Sequence, residues 1–111
     1  MWQLRVHLPN SNSSIFPLSA ESTSMGRQPD NDIVIDDSSI SRYHAKFSFG
    51  HQEEKVTITD LDSTNGIFIN HQRRRGTNPI YVGDVIRVGS CLVFLQNTDE
   101  NKISKRSPAF F

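Results

Sequence analysis

The chain has 111 residues, room for one domain and little else, and its 35% hydrophobic and 22% charged fractions exclude wholesale disorder. Twelve Lys and Arg cancel twelve Asp and Glu, which argues against nucleic acid as a partner, because such binders carry a clear positive excess. One cysteine, Cys91, excludes an internal disulfide and a multi-cysteine zinc site, and no eighteen apolar residues run together to cross a membrane.

In chain order the pattern is of short strands between turn residues. Leu4-Arg5-Val6-His7-Leu8 alternates with period two, as a strand with one buried face does. Pro9 to Ser14 is a polar hairpin loop, and Ile15-Phe16-Pro17-Leu18 is a strand that its proline confines to an edge or an end. Ser24 to Arg27 leads into the turn cluster Gln28-Pro29-Asp30-Asn31-Asp32, followed by the β-branched run Ile33-Val34-Ile35. His44 to Phe49 and Lys55 to Leu61 alternate, the latter with Val56 and Ile58 on one face. Ile67-Phe68-Ile69 is brief, Asn78 to Val82 runs into the turn dipeptide Gly83-Asp84, and Val85 to Gly89 with Ser90 to Gln96 forms a final hairpin. Cys91 reads as a plain core thiol in that last apolar run. No window of ten residues carries a helical apolar stripe, so the elements predict an all-β sandwich or barrel over residues 1–97. Residues 98–111 shift to a polar tail or the start of a linker.

Three loop clusters carry chemistry. Gly26-Arg27 pairs a residue that lets backbone approach a ligand with a guanidinium whose fork matches phosphate oxygens. In Ser41-Arg42-Tyr43-His44 the serine hydroxyl and the second arginine suit an anion, and a ring N–H of His44 given to a backbone carbonyl would hold the loop. Asp62-Ser63-Thr64-Asn65-Gly66 contains Asn-Gly, a tight-turn signal, and presents a hydroxyl and an amide; Asn70 is placed to brace that turn from below. Each cluster alone is what an ordinary capped turn looks like. The weight lies in their combination.

Gly26-Arg27, Ser41-x-x-His44, Ser63-Thr64-Asn65-Gly66 and Asn70, in that order, resemble the forkhead-associated (FHA) domain, a phosphothreonine-binding β-sandwich. Gly83-Asp84-Val85-Ile86 is similar to that family's approach to its last strands, and the resemblance covers residues 2 to 96. It implies a SMAD/FHA-like β-sandwich of two mainly antiparallel twisted sheets with about 11 short strands. It implies that Arg27 contacts phosphate, that Ser41 hydrogen-bonds it, that Arg42 adds a phosphate-side contact, and that Thr64 and Asn65 approach the phosphothreonine and the peptide main chain. Gly26, His44, Gly66 and Asn70 then shape loops, and Ser39 is a candidate selector of flanking residues. One departure is Ile67, where many members have threonine; it bears on how the turn packs.

The resemblance points to a phosphopeptide-binding module in signalling or assembly, with phosphothreonine-containing proteins as partners and no cofactor. The alternative is a phosphate-independent interaction or dimerisation domain, homodimer included, which needs none of Arg27, Ser41 and Asn65. Catalysis finds little support: Ser41, His44 and Asp60 lack a nucleophile elbow, and His7, His44, His51 and His71 lack zinc-like spacing. Arg73-Arg74-Arg75 reads first as a solvated hairpin or loop, and second as a contact for acidic residues beside a phosphosite. The N-terminus lacks a signal peptide's apolar stretch, so the expected setting is the cytoplasm, or the nucleus of a eukaryote, and the sequon at Asn12 is chance.

Overall fold

The computed structural model describes residues 1–10, 12–50 and 55–98. Among these are eleven strands: β1 (Trp2–His7), β2 (Ser13–Leu18), β3 (Ser22–Gly26), β4 (Ile33–Val34), β5 (Ala45–Phe49), β6 (Val56–Asp60), β7 (Ile67–Ile69), β8 (Gln72–Arg74), β9 (Thr77–Ile80), β10 (Ile86–Val88) and β11 (Cys91–Asn97). They form a six-stranded sheet, β2-β1-β11-β10-β7-β8, and a five-stranded sheet, β4-β3-β5-β6-β9. Neighbouring strands pair antiparallel except β3–β4, where Met25 pairs with Ile33. The protein is a β-sandwich, not a barrel.

Period-two alternation turns one row of each sheet inward. In the larger sheet Val6 pairs with Val93, Val93 with Ile86, and Ile86 with Ile69, all buried. In the smaller sheet Phe47 pairs with Ile58 and Val56 with Ile80, again all buried. Each such side chain contributes roughly 1.5–3 kcal/mol relative to exposure. Cys91 is fully buried, and burial pushes its thiol up to about 11, so it is the expected core thiol. Pro17 sits on edge strand β2, and Pro79 on edge strand β9, where the missing N–H costs no ladder bond.

Several expectations are corrected. Ser22–Gly26, read only as a lead into a turn, is a strand in the middle of its sheet, with Thr23 and Met25 inward. Of the two expectations for Arg73-Arg74-Arg75, hairpin or loop, the hairpin holds for Arg73 and Arg74, which lie exposed on edge strand β8 (Gln72–Arg74), itself not anticipated as a strand. Ser13 and Ser14 belong to β2, and Tyr81 and Val82 leave β9 to form the exposed start of the next turn. Asn65-Gly66 is not a hairpin turn, because β6 and β7 lie in different sheets. Two-residue hairpin turns are instead Asn70-His71 between β7 and β8, where both residues take positive φ (51° and 74°), as a type I′ turn requires, and Gly89-Ser90 between β10 and β11, where Gly89 takes φ 60°. Thr98 still bonds to the Met1 carbonyl, through both its N–H (2.8 Å) and its hydroxyl (3.0 Å). The rest of the expected tail, from residue 99, lies outside the described residues.

Candidate functional site

The clusters from the sequence meet at one end of the sandwich. β3 ends at Gly26, β5 starts at Ala45, β6 ends at Asp60 and β7 starts at Ile67, so four strand ends deliver their loops to the same rim. Between them opens a polar cleft of about 470 Å³ lined by Arg27, Ser38 to Tyr43, Leu61, Asp62, Thr64 and Asn65. That size is within the range of small-ligand pockets.

Alternation shapes the Ser38–Arg42 loop as it does a strand. Ile40 is 1% exposed and anchors the loop in the core, so Ser39 and Ser41 on either side stay at the rim. Arg27 ties β3 to this loop: its N–H donates to the Ser41 carbonyl (3.0 Å) and its Nε to the Ile40 carbonyl (3.0 Å). The guanidinium is thereby fixed on the rim that holds Ser41, with its Nη groups unpartnered among the described residues. Gly26 has a steric reason: a Cβ there would collide with the Arg42 carbonyl oxygen and the Asn31 amide.

His44 is the hub beneath the cleft. It is fully buried; its Nδ1 accepts the Ser41 N–H (3.0 Å) and its Nε2 contacts the Gly66 carbonyl (2.9 Å). Those partners require the neutral tautomer with the proton on Nε2. Burial holds the imidazole below the usual histidine range, against weaker opposing pulls from the Gly66 carbonyl and Asp60. With both ring nitrogens bonded to backbone groups, His44 is not available as a base for the Ser41 hydroxyl. The expected ring N–H donation to a carbonyl is what the geometry shows.

The Asp62–Gly66 loop is stitched to the first two. Thr64 N–H donates to Ser41 Oγ (3.0 Å), and Asn65 Nδ2 donates to the Ser39 carbonyl (2.8 Å). Ser63 is buried: its hydroxyl donates to Asp60 (2.6 Å) and accepts the Gly66 N–H (3.0 Å). Asp62 (φ 58°) and Gly66 (φ 81°) make the sharp bends, and Ile67 is buried behind them. On the opposite wall Tyr43 donates its hydroxyl to the Asp30 carboxylate (2.9 Å), which raises the phenol above its ordinary range.

Two expected roles look different in place. The Ser39 hydroxyl is committed internally: it donates to Asp37 and accepts the Ser90 N–H (2.8 Å), and Ser39 N–H also binds Asp37, so Ser39 holds the Asp37 carboxyl below its usual range. A Cβ on Gly89 would collide with Ser39, so the β10–β11 turn packs directly under it. Asn70 does not brace the Asp62–Gly66 loop. It braces the next one: its Oδ1 accepts Val85 N–H (2.9 Å), its Nδ2 donates to Asp84 (3.0 Å), and Asp84 accepts the Tyr81 N–H (2.9 Å).

Sequence reading missed Asn31. Only 7% exposed, it donates through Nδ2 to both the Gln28 and Arg42 carbonyls (2.9 Å each) and so clamps the second cluster to the first; its buried Oδ1 has no partner among the described residues. Its signal was hidden among ordinary turn residues, Pro29, Asp30 and Asp32. No three metal-ligating side chains come together among the described residues; His51 lies outside them. No helix there is long and apolar enough to cross a membrane.

The architecture defines a class, the two-sheet sandwich that gathers its polar and cationic loops at one end. The chain belongs to the FHA domain family, whose model matches residues 23–89. It is similar to an oxoglutarate dehydrogenase inhibitor of Corynebacterium jeikeium, 37% identical over 83% of this chain and 62% of that protein. It is also similar to the transcriptional regulatory protein EmbR of Mycobacterium tuberculosis, 40% identical over 66% of this chain but only 18% of that one. The chain thus spans less than two thirds of these curated relatives. Among solved structures, the FHA domain of the CT664 protein from Chlamydia trachomatis superposes with a TM-score of 0.78 at 31% identity, over 86% of this chain and 96% of that domain. Mycobacterium tuberculosis EmbR in complex with a low affinity phosphopeptide superposes at 0.72 with 34% identity, over 85% of this chain and 24% of that one.

Proposed function

We propose that this chain is a phosphopeptide-binding module that takes phosphothreonine on partner proteins into the cleft of Arg27, Ser41, Arg42, Thr64 and Asn65, in signalling or assembly in the cytoplasm. One observation carries the reading: Ser41 Oγ already accepts the Thr64 N–H and Arg27 Nε is already anchored on Ile40, so the serine proton and the two Nη groups are donors without a partner among the described residues, on two residues that line the same cleft. A phosphate at neutral pH carries close to two charges and three acceptor oxygens, which such donors and the exposed Arg42 satisfy. Asn65 spends its amide nitrogen on Ser39, which leaves its oxygen to accept a peptide N–H. EmbR, similar in fold at 34% identity, has been seen with a phosphopeptide, which supports the same use of this cleft.

Charge-assisted bonds worth roughly 1.5–3 kcal/mol each, less the cost of association, give an affinity near micromolar, about −8 kcal/mol. Preference for threonine over serine would add roughly 1 kcal/mol for one buried methyl. The reading needs no cofactor, metal or catalytic group. Titration of a degenerate phosphothreonine library against the wild type and Arg27→Ala tests it. The expected result is micromolar binding by the wild type, lost in the variant and lost after phosphatase treatment. Equal binding by both proteins would reject it in favour of a phosphate-independent interaction domain.

A further inference from the structure

We propose that Arg73, Arg74 and Arg75 extend the cleft into an accessory anion site, which selects phosphopeptides carrying Asp or Glu where the chain crosses the Leu61–Asn65 wall. The inference rests on the phosphopeptide reading and adds a substrate preference to it.

β8 ends at Arg74 on the free edge of the larger sheet, at the same end as the cleft, because it runs antiparallel to β7 and Arg74 pairs with Ile67. From there the chain crosses to the other sheet directly behind the cleft wall. The Gly76 carbonyl accepts the Asp60 N–H (3.0 Å), and the next residue, Leu61, already lines the cleft. Arg73 leans the same way: a methyl built on Gly66 would come within 2.6 Å of its Nε, so its guanidinium lies against the backbone one residue from Asn65.

All three arginines are exposed, and among the described residues none has a carboxylate ion-pair partner; Arg74 donates only to the neutral Gln72 (2.8 Å). The opposing charges on that wall are the exposed Asp62 and the part-buried Asp60, whose carboxylate is already held by the Ser63 N–H and hydroxyl. Charge on an edge strand also discourages edge-to-edge pairing. That purpose is met by lysine or glutamate anywhere on the edge, and it requires neither an Arg resting on Gly66 nor continuation of the run past the strand into the crossover at Arg75. Guanidinium forks match carboxylates in a bidentate way, so acidic flanking residues are the complementary ligand.

The test uses two synthetic phosphothreonine peptides, one flanked by Asp and Glu and one by Ala and Gln, titrated at low and high salt against the wild type and the double variant Arg74→Gln/Arg75→Gln. Arg73 is left in place because it packs on Gly66. The wild type should prefer the acidic peptide by roughly three- to tenfold, and the preference should shrink in high salt. The variant should bind the neutral peptide as the wild type does and lose most of the preference, keeping only what the retained Arg73 supplies. Equal wild-type affinity for the two peptides, or a preference undiminished in the variant, would overturn this inference alone. Failure of the wild type to bind either would overturn the phosphate reading and this one with it.

Discussion

Two loop systems at opposite ends of β7 are built from the same parts and used differently. At the Asn70–Val85 end the polar side chains close on one another: Asn70 gives its amide to Asp84 and takes the Val85 N–H, and Asp84 takes the Tyr81 N–H. At the Arg27–Asn65 end three rim side chains make one internal bond each and keep a donor or acceptor in reserve among the described residues: Arg27 on Ile40, Ser41 on Thr64, Asn65 on Ser39. The first network is stabilising and finished. The second is stabilising and unfinished, which is what a preorganised binding rim needs, since its geometry is set before the ligand arrives.

Substitutions can break that contrast. Ser41→Ala removes the proposed phosphate donor and one internal acceptor; binding of a phosphothreonine peptide should weaken by about 2–3 kcal/mol, roughly thirty- to hundred-and-fiftyfold, as read by fluorescence polarisation, with a melting shift of only a few degrees. Asn70→Ala should do the reverse. It loses two side-chain bonds and puts alanine in a left-handed conformation, so stability should fall by about 2 kcal/mol in denaturant titration while peptide affinity per folded molecule stays within about twofold. Were Asn70→Ala to lose binding at unchanged stability, the contrast between the two ends would be wrong.

The smallest expected effect is on pH dependence, and it sharpens the contrast because it belongs to the cleft end alone. His44 is held neutral by burial, so its folded pKa lies below its unfolded value near 6.5. Between those two values the unfolded state binds more protons, and stability rises with pH. The stabilisation is therefore complete above about pH 6.5 and is lost as pH falls below it. Melting temperatures taken between pH 7 and 5 should fall in the wild type, and that part of the slope should vanish in His44→Gln. A slope unchanged in the variant would remove His44 from its place as hub.

How much of this was legible in the sequence follows physical lines. Strands with an apolar face declared themselves, and so did the edge position of Pro17. β3 hid because its inward residues are Thr23 and Met25 in a serine-rich stretch, and β8 hid because Gln72, Arg73 and Arg74 all face solvent and carry no apolar period. The Asn-Gly signal misled: Gly66 does take positive φ, but Asn65 does not, and the loop crosses between sheets, while a type I′ turn falls at Asn70-His71. At the site, the residue types and their order were readable because guanidinium, hydroxyl and amide groups advertise anion chemistry. The division of labour was not. That the Ser39 hydroxyl is committed inward, that Asn31 clamps the loops, and that Asn70 serves another turn are consequences of distances that only the fold creates.

The first and last strands leave the sandwich as neighbours. Trp2 pairs with Asn97, Thr98 caps Met1, and both ends sit at the far end of β11 from Ser90, which touches the cleft loop. The molecule is thus a plug with both wires at its base. A dye or surface tether attached at Met1 or Thr98 therefore starts from the face opposite the mouth.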